Sequence, residues 1–186
     1  RQIVVPGHRG PEIARPEKTA IAETDPLPME SVETPNVRTI EEVSGFLNVS
    51  PKQIVKTLIF NADGKSCAVL IRGDQEVNEI KVKNVLGAAQ LELADDEMIL
   101  QATGAPRGFA GPVGIKTRVL ADYSLMNLNN MVVGANKTDY HLKNVNLERD
   151  FKVESYADLR ISRPGDLCPR CSGMIQFVRG IEVGHV

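Results

Sequence analysis

The stretch IVKTLIFN (54–61), ADGK (62–65), SCAVLIR (66–72) decides the fold. Two apolar runs rich in β-branched residues flank an Asp-Gly pair, and Asp-Gly supplies the backbone freedom that a tight turn between antiparallel strands requires. A β-hairpin is the economical reading, with Lys56 at the entry to its first strand. A hairpin forbids a purely parallel sheet, so whatever lies outward must build a mixed one.

Upstream, Thr39 is followed three residues later by Glu42, and Ile40, Val43, Phe46 and Leu47 recur at helical spacing. A capping box opening a short amphipathic helix follows. Ser50-Pro51 repeats the signal of a helix start. Downstream, NEIKVKNVLG (78–87) predicts a helix stopped by Gly87, and Asp95-Asp96-Glu97 opens another that Gly104 closes. The stretch from Gly104 to Gly114, with Gly108, Gly111, Pro106 and Pro112, is a loop. Strands are expected at Thr117–Ala121 and Met131–Ala135, with edge strands at Tyr140–Asn146 and Phe151–Tyr156. The fold class is therefore α/β in the α+β sense: a mixed, largely antiparallel sheet with a β-hairpin and helices packed around it.

At 186 residues the chain is expected to hold one sizeable core. Residues 1–32, rich in proline, read as an extended or linker-like segment, and 33–186 as the folded domain. Hydrophobic residues at 42% and charged ones at 25% exclude wholesale disorder. With 4% aromatics, no Trp and a net charge of -2, any nucleic-acid contact must come from a local basic patch. No apolar run approaches the roughly 20 residues of a membrane span, and no signal-peptide core is present, so a cytoplasmic location with reduced cysteines is expected. Cys67 reads as a buried thiol. Cys168-Pro169-Arg170-Cys171 is either half of a zinc knuckle or a tight hairpin turn, and a fourth zinc ligand is missing from the sequence. Arg1 in place of Met, and the stop at Val186, suggest a piece of a longer chain.

The strings VKTLIF (55–60), LIRGDQEVNEIKVKN (70–84), GFAGPVGI (108–115), VLAD (119–122), VVGAN (132–136) and RGIEVGH (179–185) stand in an order that resembles the insertion domain of bacterial-type prolyl-tRNA synthetases. Free-standing trans-editing deacylases share the fold and the lysine but should not end in RGIEVGH. The resemblance implies editing: hydrolysis of the ester joining alanine to the terminal adenosine of proline tRNA. It implies no cofactor and no metal. Its implied partners are the alanine-bearing acceptor end of that tRNA and the rest of the synthetase chain, a homodimer whose ATP-dependent aminoacylation site lies elsewhere.

Carried over through VKTL, Lys56 becomes the family's functional lysine, either anchoring the terminal adenosine or lying near the ester. The anchor is the preferred reading, because an activated ester needs a placed water and charge stabilisation more than a nucleophile. The glycine, three residues, proline pattern Gly108-Phe109-Ala110-Gly111-Pro112 aligns with the family's loop, whose amide N–H groups can face an acyl oxygen or the α-amino end. His141 aligns with a pocket histidine that either hydrogen-bonds the substrate amine or measures side-chain size. Asp122 aligns with an acidic residue that meets the α-ammonium, or else caps the segment from Tyr123. Arg72, Asp74 and Asn78 read as a structural network, and Lys52, Lys81, Lys83 and Arg107 as acceptor-stem contacts or solvated charges. A catalytically silent, tRNA-bracing insertion and a free-standing deacylase stay open as alternatives.

Overall fold

The computed structural model describes residues 3–5, 8–9, 25–168 and 171–177. The chain divides into two compact units, one of residues 1–20 with 161–186 and one of residues 21–160. In the smaller unit, β1 (Ile3–Val5) pairs antiparallel with β2 (His8–Arg9) on one side and with β11 (Gln176–Phe177) on the other. Also in this unit, the Leu167 and Met174 backbones bridge, the Cys168 N–H donates to Gly173 O and the Ser172 N–H to Cys168 O. These bonds form a tight hairpin turn around buried Cys168 and exposed Cys171. RGIEVGH and His185 lie outside the described residues.

The larger unit is built on the hairpin. Strands β4 (Val55–Ala62) and β5 (Lys65–Arg72) pair in register from Val55 opposite Arg72 to Ala62 opposite Lys65. Asp63 and Gly64 both take positive φ, 51° and 82°, as the two central residues of this turn must. The hairpin lies inside a five-stranded mixed sheet. Strand β6 (Leu91–Leu93) flanks β4 antiparallel, β7 (Arg118–Asp122) runs parallel to β5, and β10 (Ser155–Ala157) runs parallel to β7. As an interior strand β5 is buried from Cys67 to Arg72, and burial pushes the Cys67 thiol up to about 11.

A second, antiparallel sheet has the order β3 (Glu30–Glu33), β9 (Tyr140–Val145), β8 (Met131–Gly134). A parallel bridge between Ile54 and Val132 brings β8 alongside the start of β4. Val55, Ile59, Ala68 and Leu70 of one sheet meet Met131, Val133 and Val145 of the other in the main core. A second cluster packs Phe60, Val69 and Leu120 under Val82.

Among the described residues three helices complete the unit. Helix α1 (Ile40–Leu47) starts in the expected Thr39/Glu42 capping box and buries Val43 against Val37, Ile54 and Val132. Helix α2 (Glu79–Leu86) is capped by the Asn78 side chain and ended by Gly87 at φ 64°. Helix α3 (Asp96–Thr103) is capped by Asp95 and ended by Gly104 at φ 77°. Among the described residues no helix is long and apolar enough to cross a membrane.

Three local expectations differ from the structure, and one short strand adds to those expected. Strand β9 is interior, because Glu30–Glu33, which begins inside the stretch read as extended or linker-like, supplies the strand that covers its other edge. The expected Phe151–Tyr156 strand shifts to Ser155–Ala157. Ser50-Pro51 opens only a single 3-10 turn, Pro51–Gln53, because Ile54 already takes extended backbone. The three-residue β6 carries too short a pattern to stand out between α2 and α3.

Candidate functional site

The N-terminal half of β4, the start of α1, the loop after α3 and the β8–β9 hairpin surround a cleft of about 360 Å³. Its walls are mostly apolar, from Ile40, Val43, Ile54, Leu58, Ile59 and Ile99. Lys56, Thr57 and His141, the cations Arg38 and Arg107, and the loop and strand residues Gly108, Ala110 and Gly134 complete the lining. Among the described residues that line it none is acidic, which gives this part of a net-negative chain a cationic face.

Lys56 is seated by the RGDQ turn. Arg72 and Asp74 form a two-bond ion pair at 2.5 and 2.9 Å, and the Gln75 N–H donates to Arg72 O at 2.9 Å. Gly73 is required here, since a Cβ would meet Pro51 O at 2.6 Å. The turn presents the Gln75 carbonyl to the Lys56 ammonium, which donates to it. Because the acceptor is backbone, any residue at position 75 can supply it. The Gln75 side chain instead accepts from the Ser124 hydroxyl at 2.9 Å.

The glycine loop is held against β8 by backbone contact. A Cβ on Gly111 would lie 1.7 Å from Gly134 O, and one on Gly134 would lie 2.3 Å from Ala110 O. Asn136 completes the hold. Its Oδ1 accepts from the Gly111 N–H at 2.7 Å, its Nδ2 donates to Gly111 O and Val113 O at 3.0 and 2.8 Å, and its own N–H donates to Phe109 O at 3.0 Å. The Gly111 amide is thereby spent. The amides of Gly108 and Ala110, two residues of the cleft lining, have no hydrogen-bond partner among the described residues. Phe109 is 1% exposed and anchors the loop from beneath, with the Arg38 guanidinium 5.5 Å from its ring centroid. Pro112 is buried behind the lining.

His141, on β9 opposite Gly134, is buried and shares a 2.7 Å hydrogen bond between Nδ1 and the Thr34 hydroxyl. Burial lowers its pKa, so the imidazole is neutral near pH 7. The sign of the linkage is fixed. The unfolded chain takes up a proton near the ordinary value of 6.5 while the folded one resists it, so this stabilisation is complete above that value and is lost as pH falls towards the folded pKa. Urea unfolding midpoints are expected to drop from about pH 7.5 to about pH 5.5, and to drop less in His141→Gln. Equal drops in the two proteins would remove His141 as the source. Thr57 Oγ1 is buried without a partner among the described residues, an unmet hydrogen bond in the cleft lining.

Asp122 does not join this group. Its Oδ1 accepts from the Ser124 N–H and its Oδ2 from the Leu159 N–H, both at 2.8 Å, so the carboxylate caps the turn at Tyr123–Leu125 and ties it to the chain beyond β10. The capping reading of Asp122 is the one the geometry supports. Lys81 is likewise occupied, by Asp158 at 2.9 Å, and Asn78 caps α2 as the network reading expects. Thus Lys56, Gly108, Ala110 and His141 come together, Phe109, Gly111 and Pro112 support them, and Asp122 stands apart. Thr34, Arg38, Thr57, Gly134 and Asn136 were not singled out from sequence. Only Asn136 carries a local signal, since asparagine tolerates the left-handed backbone it adopts at φ 52°.

A family model for the aminoacyl-tRNA editing domain matches residues 34–151. The chain is 62% identical over 176 residues to a proline–tRNA ligase of Syntrophus aciditrophicus, covering 94% of this chain and 30% of that protein. It is 57% identical over 159 residues to one of Caldicellulosiruptor saccharolyticus, covering 85% and 28%. The chain thus spans under a third of the length of these relatives. Among solved structures, a putative trans-editing enzyme for prolyl tRNA synthetase superposes with a TM-score of 0.60 at 20% identity, over 72% of this chain and 87% of that one, which shows a shared fold. With a matched model spanning every element of the cleft, the chain belongs to the aminoacyl-tRNA editing domain family.

Proposed function

We propose that the cleft hydrolyses the ester joining alanine to the terminal adenosine of proline tRNA. The observation that carries this reading is the convergence of Lys56, two unpartnered loop amides and a neutral histidine in one largely apolar cleft. An aminoacyl ester is already activated, so the remaining tasks are to orient it, admit water and stabilise the tetrahedral oxyanion. The Gly108 and Ala110 amides are donors of the kind an acyl oxygen needs, fixed before the substrate arrives. Lys56 anchors the terminal adenosine through its phosphate or ribose, with Arg38 supplying further positive charge at the same cleft, where Arg107 is paired with Asp96 at 3.0 Å. His141 forms a wall that measures the amino-acid side chain. The partners are the acceptor end of proline tRNA and the remainder of a homodimeric proline–tRNA ligase.

The need for such a site is physical. A synthetic pocket shaped for proline excludes the smaller alanine poorly, because one or a few missing methylenes are worth only about 1–3 kcal/mol. A second site that admits alanine and rejects proline restores fidelity. The test is the ratio of hydrolysis rates on alanyl-tRNA and prolyl-tRNA for proline. The ratio is expected to exceed about tenfold in favour of alanine, on the scale of a single-methylene sieve. Equal rates on the two would remove the sieve and with it the editing role.

A further inference from the structure

We infer that Asn136 is the positioning residue that sets the width of the acyl pocket, an assignment that rests on the deacylase reading above. Asn136 sits in the connection between β8 and β9, two residues beyond Gly134 and five before His141. That connection is closed by the Gly134–His141 pair and by the Ala135 N–H donating to Tyr140 O at 3.3 Å. From there, one side chain and one backbone amide make four hydrogen bonds to the glycine loop, at 2.7 to 3.0 Å. The loop amides and the imidazole belong to different stretches of chain, and Asn136 joins them at fixed spacing.

Its choice of partners also decides which amides are available. By accepting from Gly111, Asn136 removes that donor from the cleft and leaves those of Gly108 and Ala110 unpartnered. Both carbonyls its side chain binds, of Gly111 and Val113, are kept from turning toward the ligand. The Gly111–Gly134 contact allows close approach but has no directionality, so it cannot hold the loop's rotation by itself. Aspartate at 136 would keep the acceptor for Gly111 N–H and lose both donated bonds. Glycine there would lose all side-chain bonds while still tolerating φ 52°.

The experiment measures hydrolysis of alanyl-tRNA and prolyl-tRNA for proline by wild type, Asn136→Gly and Asn136→Asp, together with amide hydrogen exchange at residues 108–111. In folded Asn136→Gly the alanyl rate is expected to fall about 10- to 100-fold, the cost of a small misplacement of catalytic groups, and the alanyl-to-prolyl ratio to fall with it. Asn136→Asp should recover part of both. A fall in rate with the ratio unchanged, and aspartate no better than glycine, would mean a stabilising role only and overturn the inference. So would wild-type rate and ratio in Asn136→Gly. Exchange decides the hold itself without substrate: in wild type the Gly111 amide should be protected and those of Gly108 and Ala110 fast. Gly111 exchanging as fast as Gly108 would overturn the inference even if a variant fails to fold. A wild type that releases no alanine, with Gly111 protected, would instead count against the deacylase reading.

Discussion

Gly111→Ala is expected to lose about 1–3 kcal/mol of stability and most of the hydrolytic activity, although it adds a single methyl group. The added Cβ would sit 1.7 Å from Gly134 O and 2.6 Å from the Gly134 carbonyl carbon. Both are backbone atoms in a strand paired to β9, so no flexible side chain can yield. Backbone must move. The loop is the softer partner, and its displacement breaks the Asn136 bonds to Gly111 and carries the Gly108 and Ala110 amides out of place. A misplacement of about 1 Å costs about 100-fold in rate. Gly111 does not have positive φ, so the penalty is steric and not conformational. Urea unfolding with the deacylation rate checks both parts, and wild-type values for either would show that the loop does not rest on Gly134 as closely as described.

Lys56→Met is expected to lower kcat/KM for alanyl-tRNA by roughly 10- to 150-fold, the equivalent of one hydrogen bond to a charged group at about 1.5–3 kcal/mol. Methionine keeps the length and most of the apolar stem of the side chain, so what is removed is the ammonium. The stability loss should be smaller, about 1 kcal/mol for the lost bond to the Gln75 carbonyl. The contrast between a small structural effect and a large kinetic one separates a functional lysine from a turn-stabilising one. Lys56→Arg should not rescue fully, since a planar guanidinium fork does not reproduce the compact ammonium that donates to the Gln75 carbonyl. Comparable losses of stability and rate in Lys56→Met, tracking the folded fraction, would reduce Lys56 to a structural role.

Sequence and structure agree where the determinants are local. Asp63-Gly64 dictates its own turn, Thr39 and Glu42 cap each other, and Gly87 and Gly104 stop helices at left-handed backbone, each from residues within a few positions. The Lys56 position and the glycine loop were legible through strings in register, and their supports were not. Thr34 meets His141 across 107 residues, and no periodicity in either segment announces that contact. Asn136 reaches Gly111 across 25 residues through a side chain whose amide reads as ordinary turn chemistry. The interior position of β9 depends on Glu30–Glu33, a strand of mostly exposed residues with no apolar alternation, following a proline-rich stretch. Asp122 shows the converse. Its place at the end of an apolar strand suited either a ligand or a cap, and only the direction of its two oxygens toward backbone amides decides.

The most direct measurement is the initial rate of alanine release from alanyl-tRNA for proline in the presence of this chain, compared with the spontaneous rate at the same pH and with the Lys56→Met protein. Release well above the spontaneous rate for wild type, falling towards it in Lys56→Met, is the predicted result. Release at the spontaneous rate for a folded wild-type chain that binds the tRNA would contradict it and leave a silent, tRNA-bracing domain.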